Sequence, residues 1–420
     1  MRVLVLGAGI IGVASAYYLA KAGYEVTVLE ANEGPARECS FANGGQLSFS
    51  HIENWSSSLS FFSLIRTLTS TQPHIALHNF GDKKLMFWLA SLLSNSFGIN
   101  AHKNSRNLYR ISALSRELFR SIIDEEKIDF DFNDSGILHF YRTKKELNKA
   151  INNAKNLDLL EKEAVILDAD QCIEKEPSLV KLYQENKLAG GLFYKNDACG
   201  NCAKFVQNLA KICQEKYKVK FDYNVKVKNI LTNYKKITGV NTTSGVYDAD
   251  NYVYALGFGG ISLLSGIKID PKIRPLQGYS ISSKVLNLAE APQIGLTDTR
   301  NKIVYSRIGN IFRVAGVIEI NNSKNKISKN KIEFLQKSLN GNFSNYGDVD
   351  NDTSWSGIRP FRPNSLPLIY QVKKYGNLYL NTGHGSLGWT LSLASGQILA
   401  DLIDNKLPEK FGFLRQEKVG

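Results

Sequence analysis

A chain of 420 residues exceeds the size at which one hydrophobic core keeps growing, so a small module is excluded and one large composite domain or two interleaved ones is expected. Hydrophobic residues make up 43% and charged residues 22%, with 10 prolines, a balance that supplies a large core and excludes disorder. The formal charge of +13 suits an acidic lipid surface or an anionic ligand, and equally a chain simply rich in Lys and Asn; no nucleic-acid partner is expected.

Val3 to Leu19 is apolar behind a single Arg2 and imitates a signal peptide, but its internal pattern reads otherwise. Val3–Leu6 has the length of a strand, glycines follow at 7, 9 and 12, and helical character runs from Val13 to Lys21, so no secretion signal is expected. Gly7-Ala8-Gly9-Ile10-Ile11-Gly12 fits G-x-G-x-x-G in its proper context, after a strand, opening a helix, and before a second strand, Glu25–Leu29, that ends at Glu30. Gly7 permits the sharp turn, Gly9 lets a pyrophosphate approach the backbone, and Gly12 lets helix and strand pack closely. Glu30, with Ala31 beside it, stands where a carboxylate grips ribose hydroxyls and repels a 2′-phosphate, so FAD or NAD is expected over NADP.

An NAD dehydrogenase would continue in regular β-α alternation. Here Arg37 to Gln46 intervenes, a small polar segment that either is a surface loop or sets backbone N–H groups and the amides of Asn43 and Gln46 against an extended cofactor; Ser40, Gly44 and Leu47 belong to it. Trp55 to Phe97 holds Ser-Phe-Phe-Ser-Leu-Ile at 60–65 and, after Lys83-Lys84, the apolar Leu85–Leu93. Such a run is shorter than the roughly 20 residues that span a bilayer. It either lies in the membrane interface, lysines at the headgroups and Phe87 and Trp88 below, or packs as a helix within the protein.

The five cysteines, Cys39, Cys172, Cys199, Cys202 and Cys213, are odd in number and thinly spread, which argues for a reducing compartment and against a disulfide framework. Cys199-Gly200-Asn201-Cys202 has neither a second pair nor a nearby histidine, so no metal site is expected. Short β segments at 218–221, 225–227 (with Val225) and 239–243 precede a strand, Asn251–Gly257, whose ending in Ala255, Leu256 and Gly257 returns the chain beside the first strand. Strand-like runs at 136–141 and 311–315 suit a second, larger sheet, and Tyr305 and Arg307 read as a solvated strand face. Leu378–Asn381 empties into Thr382-Gly383-His384-Gly385-Ser386-Leu387-Gly388-Trp389-Thr390 and a helix from Leu391 to Ile403. Free N–H groups and the positive end of a helix dipole there would suit the N1–C2=O edge of a flavin, with His384 positioning and Trp389 packing.

Together, Gly7–Gly12, Ser40–Ser48, Pro275-Leu276-Gln277-Gly278-Tyr279-Ser280, Trp355-Ser356-Gly357-Ile358-Arg359-Pro360 and Asn381–Thr390 resemble the D-amino-acid dehydrogenase small subunit family, almost end to end and in unchanged order. That family lies within the group of D-amino-acid oxidase, glycine oxidase and sarcosine oxidase enzymes. The resemblance implies an FAD enzyme peripheral to the cytoplasmic face of the bacterial inner membrane; Cys39 and His384 lie near the cofactor segments without a spacing that supports covalent attachment, so non-covalent FAD is expected. Such an enzyme deaminates D-amino acids to 2-oxo acids and ammonia and passes electrons to quinone. The chain departs from the family by ending shortly after Gln416 and by its Lys- and Asn-rich run from Asn321 to Lys337, where substrate preference and partner contacts do not carry over. An oxygen-using amino-acid oxidase and a non-catalytic flavin-binding membrane adaptor are the alternatives.

The fold class expected is α/β plus α+β: a Rossmann-like FAD-binding domain from 1–50, 198–270 and 352–406, interleaved with a substrate domain from 51–197 and 271–351 on a large, mainly antiparallel sheet. Oxidation then needs Cα–H aimed at flavin N5, a neutral amine, and a carboxylate held fixed. Arg359, between Gly357 and Pro360, is the candidate clamp, because a guanidinium fork bonds both carboxylate oxygens and because the resemblance places the substrate arginine in this Gly-x-Arg-Pro element. Tyr279 is the second candidate, its phenol donating to the same carboxylate.

Overall fold

Val3–Leu6 is apolar at every position and so must be covered on both faces, and the strand Arg2–Leu6 accordingly lies inside a six-stranded sheet. The structure is a computed structural model that describes residues 1–50, 75–77, 81–156, 160, 162–320, 326–343 and 347–416. Arg2–Leu6 pairs in parallel with Glu25–Leu29 on one side and Asn251–Tyr254 on the other; Leu378–Thr382 continues the parallel run, Leu368–Gln371 closes that edge antiparallel, and Lys220–Asp222 closes the other. Helices Ile10–Lys21, Cys202–Glu215 and Ser392–Ile403 cover one face. Ile10–Lys21 and Ser392–Ile403 meet backbone to backbone: a methyl group on Gly396 would stand 2.5 Å from Ala14 O. A three-stranded antiparallel sheet, Val227–Asn233, Lys236–Thr242 and Gly245–Tyr247, covers the other face around Leu4, Leu6, Tyr252 and Tyr254.

A second sheet of nine strands runs from Gly347–Phe361 at one edge through Arg274–Val285, Ile311–Ile320, Ile303–Ile308, Gly295–Asp298, Ile137–Tyr141 and Gly190–Tyr194 to Ala164–Leu167, with Ile75–Leu77 alongside Ile311–Ile320. Gly347–Phe361 is unbroken, so the residues from 352 to 361, assigned by sequence to the cofactor unit, continue a strand of this sheet. One face carries Tyr279, Ile281, Tyr305, Phe312 and Val314 into a core closed by the helix Lys329–Asn342. The other face turns toward the six-stranded unit.

Of the Trp55–Phe97 stretch, residues 55–74 and 78–80, including the run at 60–65, lie outside the described residues. Leu85–Leu93 falls within a helix, Lys83–Ser94, started by Asp82, whose Oδ1 accepts from Lys84 N at 2.9 Å. Its Leu85, Trp88, Leu89 and Leu92 are buried on Leu276, Ile318, Ile320 and Phe361. Trp88 stacks edge-on to Phe361 at 5.9 Å and donates to Lys272 O at 3.0 Å, so it faces inward and not toward a membrane. Met86 and Phe87 point outward, Phe87 78% exposed.

Glu163 pins the end of the cofactor-side loop to the larger unit. Its carboxylate accepts from Arg116 Nη1 at 2.7 Å, Asn196 Nδ2 at 2.8 Å, Ser50 Oγ at 2.9 Å and Tyr109 OH at 3.0 Å. Burial alone would raise its pKa, but Arg116, Asn196 and Ser50 outweigh that and hold it at about 2. Glu163→Ala strands these donors and is expected to cost roughly 3–5 kcal/mol in urea unfolding, with a loss under 1 kcal/mol counting against the pin.

Candidate active site

The turn after the first strand is tight because Gly7 takes φ +101° and a methyl group on Gly12 would lie 1.8 Å from Gly7 O. Gly9 caps the helix Ile10–Lys21 without a side chain, no acid stands in its first turn, and Ile10 N donates to Ser40 Oγ at 3.0 Å. Ile11 and Gly12 follow in that turn. Glu30 ends the second strand, its Oε2 accepting from Ala8 N at 2.8 Å and its Oε1 from Asn32 N at 2.9 Å. Val225 N donates to Glu30 O at 2.8 Å, so Val225 stands beside Glu30 and the exposed Ala31 at the end of the second strand. Ala255 and Leu256 flank Gly7, and a methyl group on Gly257 would lie 3.9 Å from Pro360 Cγ.

The Arg37–Gln46 segment is pinned against the larger sheet. Ser280 Oγ donates to Ala42 O at 2.7 Å, Arg313 Nη1 to Asn43 O at 3.5 Å, and Ser306 Oγ to Gly44 O at 2.7 Å. Gly44 and Gly45 let it lie flush: methyl groups there would come 2.7 Å from Val304 Cγ2 and Ile308 Cδ1. The Gln46 amide departs from the sequence reading, since Nε2 donates to Leu296 O at 3.0 Å and Oε1 accepts from Thr297 Oγ1 at 3.3 Å; it ties the sheet instead of facing a cofactor. The Asn43 amide turns inward as well, Oδ1 accepting from Gly45 N at 3.1 Å. Leu47 is fully buried and pairs with Ala198.

At the far end of the chain, Gly383, His384, Gly385, Leu387 and Gly388 lead from Leu378–Thr382 into Ser392–Ile403, a helix with no side-chain cap and no acid in its first turn. Both uncapped helices follow parallel strands, so their N-termini lie at the same, carboxyl edge of the sheet, where open α/β sheets bind ligands. Among the described residues Trp389 Nε1 and Thr382 Oγ1 are buried there without a hydrogen-bond partner, and Thr390 Oγ1 accepts from Ser48 N at 3.3 Å. His384 Nε2 meets Ser395 Oγ at 2.7 Å, and burial pulls its pKa down to about 3, so the ring is neutral and held.

Arg359 stands on the inward face of the larger sheet. Gly278 and Gly357 are paired directly, leaving a bare patch of backbone. The Arg359 guanidinium folds over Gly278, where a methyl group would meet Cζ at 2.6 Å, and the Trp355 indole folds over Gly357, where one would meet Cη2 at 2.1 Å. Burial lowers the pKa of Arg359, the Cys39 thiol beside it acting the other way, and among the described residues no carboxylate pairs with it. The Cys39 thiol donates to Ile358 O at 2.7 Å and joins the cofactor loop to this strand.

Tyr279 is not brought to Arg359. It is 1% exposed on the opposite face, its hydroxyl donating to Glu319. Tyr305 is likewise buried on that face, bonded to Ser338 and Asn342, against the expectation of a solvated strand, whereas Arg307 reaches Gln293 Oε1 at 2.8 Å. Ser280, Ser306 and Arg313, which hold the loop, and Trp355, which flanks the clamp, carried no sequence signal of their role beyond strand periodicity.

The chain matches the family described as FAD dependent oxidoreductase over residues 2–402. It is 37% identical over 97% of its length, and 96% of the relative's, to the D-amino acid dehydrogenase of Neisseria meningitidis serogroup C. The glycine oxidase of Bacillus cereus shares the fold at TM-score 0.72 with 18% identity, over 97% of this chain and 98% of that one. The L-alpha-glycerophosphate oxidase of Mycoplasma pneumoniae with FAD bound does so at 0.69 with 17% identity, over 100% and 95%. The residues present fit FAD: Gly9 leaves the first helix open to a pyrophosphate, the Glu30 carboxylate at the end of the second strand would take the ribose hydroxyls, and Thr382 Oγ1 and Trp389 Nε1, unpartnered among the described residues, lie beside the second open helix.

His384 makes one consequence measurable. The unfolded chain binds a proton below about 6.5 that the folded chain refuses until about 3, so stability falls as pH drops through that window, by up to about 1.4 kcal/mol per unit. His384→Asn is expected to flatten this part of the wild-type slope between pH 6.5 and 4 in unfolding measurements; identical slopes would show that the ring is not buried neutral.

Proposed function

The chain belongs to the FAD-dependent oxidoreductase family, with FAD as its cofactor, and from that premise we propose that it deaminates D-amino acids to 2-oxo acids and ammonia. The observation that carries this is Arg359: a guanidinium with no acid partner among the described residues, laid over a bare glycine pair and joined through Cys39 to the cofactor loop. The name of the 37%-identical relative supports the D-amino-acid class.

In this reading Arg359 binds both oxygens of the substrate carboxylate. Gly278 and Gly357 leave the space in which the Arg359 guanidinium and the Trp355 indole lie flat on the sheet, and Trp355 walls the substrate side chain. A cation with no neighbouring acid disfavours an ammonium, so the amine is bound neutral, as loss of electrons from Cα requires. His384, neutral and tied to Ser395, positions its turn and takes up no proton from the substrate. When bound, FAD supplies the two-electron acceptor for the Cα–H bond. The imino acid released then takes up water to give the 2-oxo acid and ammonia. Anaerobic addition of D-amino acids to the FAD-loaded protein is expected to bleach the flavin absorbance. Arg359→Met is expected to lower that rate by a factor of 100 or more with FAD still bound, in line with the roughly 2–5 kcal/mol of a lost buried charge pair; no bleaching by any amino acid in the wild type would defeat the reading.

We place the electron acceptor in the membrane, as a quinone, with the protein peripheral at the cytoplasmic face of the inner membrane. Support comes from the exposed apolar side chains Met86, Phe87 (78% exposed), Phe97 and Ile99 (85% exposed), carried by a stretch of chain that also exposes Lys83, Lys84 and Lys103. No helix among the described residues is long and apolar enough to cross a membrane. Phe87→Glu with Ile99→Glu is expected to abolish co-sedimentation with anionic vesicles and slow quinone reduction while leaving anaerobic bleaching unchanged. Fast peroxide formation from the substrate-reduced protein with negligible quinone reduction would make it an oxidase instead.

A further inference from the structure

Arg313 is 8% exposed, and among the described residues no carboxylate lies within ion-pair distance of it. Its Nε donates to Ser282 Oγ at 3.0 Å and its Nη1 to Asn43 O at 3.5 Å. Burial lowers its pKa to about 10, which still leaves it charged at neutral pH. A buried cation without an acid is costly for the folded chain.

A second cost converges on the same side chain. Val317, buried in the middle of Ile311–Ile320, takes φ +54°, a left-handed conformation that a β-branched residue strongly disfavours. It is the extra residue of a β-bulge: Ile318 opposes Gly278, but Gly316 opposes Tyr279. In an unbulged ladder Arg313 would oppose Ser283 and share the face of Tyr279 and Ile281, in the core under Lys329–Asn342. With the bulge it opposes Ser282 and shares the face of Ser280 and Ser306, the two side chains that hold Ala42 O and Gly44 O. The bulge therefore completes a row of three donors on three consecutive carbonyls and makes the middle one a cation. Across the loop, Ser40 Oγ touches Ile10 N, at the open end of the first helix.

We propose that Arg313 is the internal counter-charge of the cofactor site, set behind the Ala42–Gly44 loop by the Val317 bulge to offset the negative pyrophosphate of bound FAD. It is a positioning residue, acting through the loop, and its cost in the apoprotein is recovered when the anion arrives.

The sign of two measurements separates this from an ordinary structural arginine. Full-length wild type, Arg313→Met and Arg313→Lys are freed of FAD, and each is followed by thermal unfolding without FAD and by flavin fluorescence during titration with FAD. For Arg313→Met the expectation is an apoprotein that unfolds no lower than wild type, with FAD affinity weakened at least tenfold. Arg313→Lys, which keeps the charge, is expected to hold FAD within a few-fold of wild type. A destabilised or unfolded apoprotein in Arg313→Met, or unchanged FAD affinity, overturns the proposal. So does an Arg313→Lys variant that loses FAD as fully as Arg313→Met. A raised KM with normal FAD affinity in Arg313→Met would instead make Arg313 a substrate contact and overturn it equally.

Discussion

The carbonyls of Ala42, Asn43 and Gly44 are held from one face of the nine-stranded sheet, and the position of every other site group depends on that seam. Hydrogen bonds of this kind contribute on the order of 1 kcal/mol each, a modest sum, but their consecutive spacing leaves the loop no freedom to slide. Ser40, just upstream, reaches Ile10 at the open helix, and Cys39 reaches Ile358 beside the clamp. A span of six residues thus ties the first turn of the helix Ile10–Lys21 to the strand that carries Arg359. Movement of one sheet against the other would have to break this span first.

The electrostatics follow from what is missing near the seam more than from the total charge of +13. Two helix N-termini lack acids in their first turns, and Arg359 and Arg313 lack acid partners among the described residues. The neighbouring thiols of Cys39 and Cys202 are pushed up to about 12 by burial and stay neutral, and His384 stays neutral by being pushed down. Such a surround is unfavourable empty and favourable around anions, which suits a ligand with a pyrophosphate and a substrate with a carboxylate. Glu30 and Glu38 are the acids there: the oxygens of Glu30 are engaged by Ala8 and Asn32, and Glu38 stands near enough to Cys39 to raise its thiol further.

What was legible in the sequence was local. The strand, glycine turn, helix and acid of residues 2–30 lie within one supersecondary unit, and the glycine turn at 383–388 likewise joins adjacent elements, so both could be read from spacing alone. What was not legible depends on parity set at a distance. Tyr279 lies next to Gly278, yet only the pairing of Gly278 with Gly357 decides which of the two faces the clamp. Alternation along residues 311–315 gives no warning of the bulge at Val317, which carries Arg313 to the cofactor side. The partner of the Gln46 amide, Leu296, stands in a strand that only the assembled sheet brings near.

The helix Lys83–Ser94 shows why its sequence supported two readings. Period-three-and-four placement puts Leu85, Trp88, Leu89 and Leu92 on the sheet, over Leu276, the residue paired with Arg359, and over Phe361, which bridges to His384. An ordinary surface helix would then be polar outside, but Met86 and Phe87 continue the apolar character around it. Burying those outer side chains in lipid would leave every inner contact in place, because the two sets share no residue. The inner face of the helix therefore fixes the end of the sheet that carries Arg359, and the exposed Met86 and Phe87 take no part in that packing.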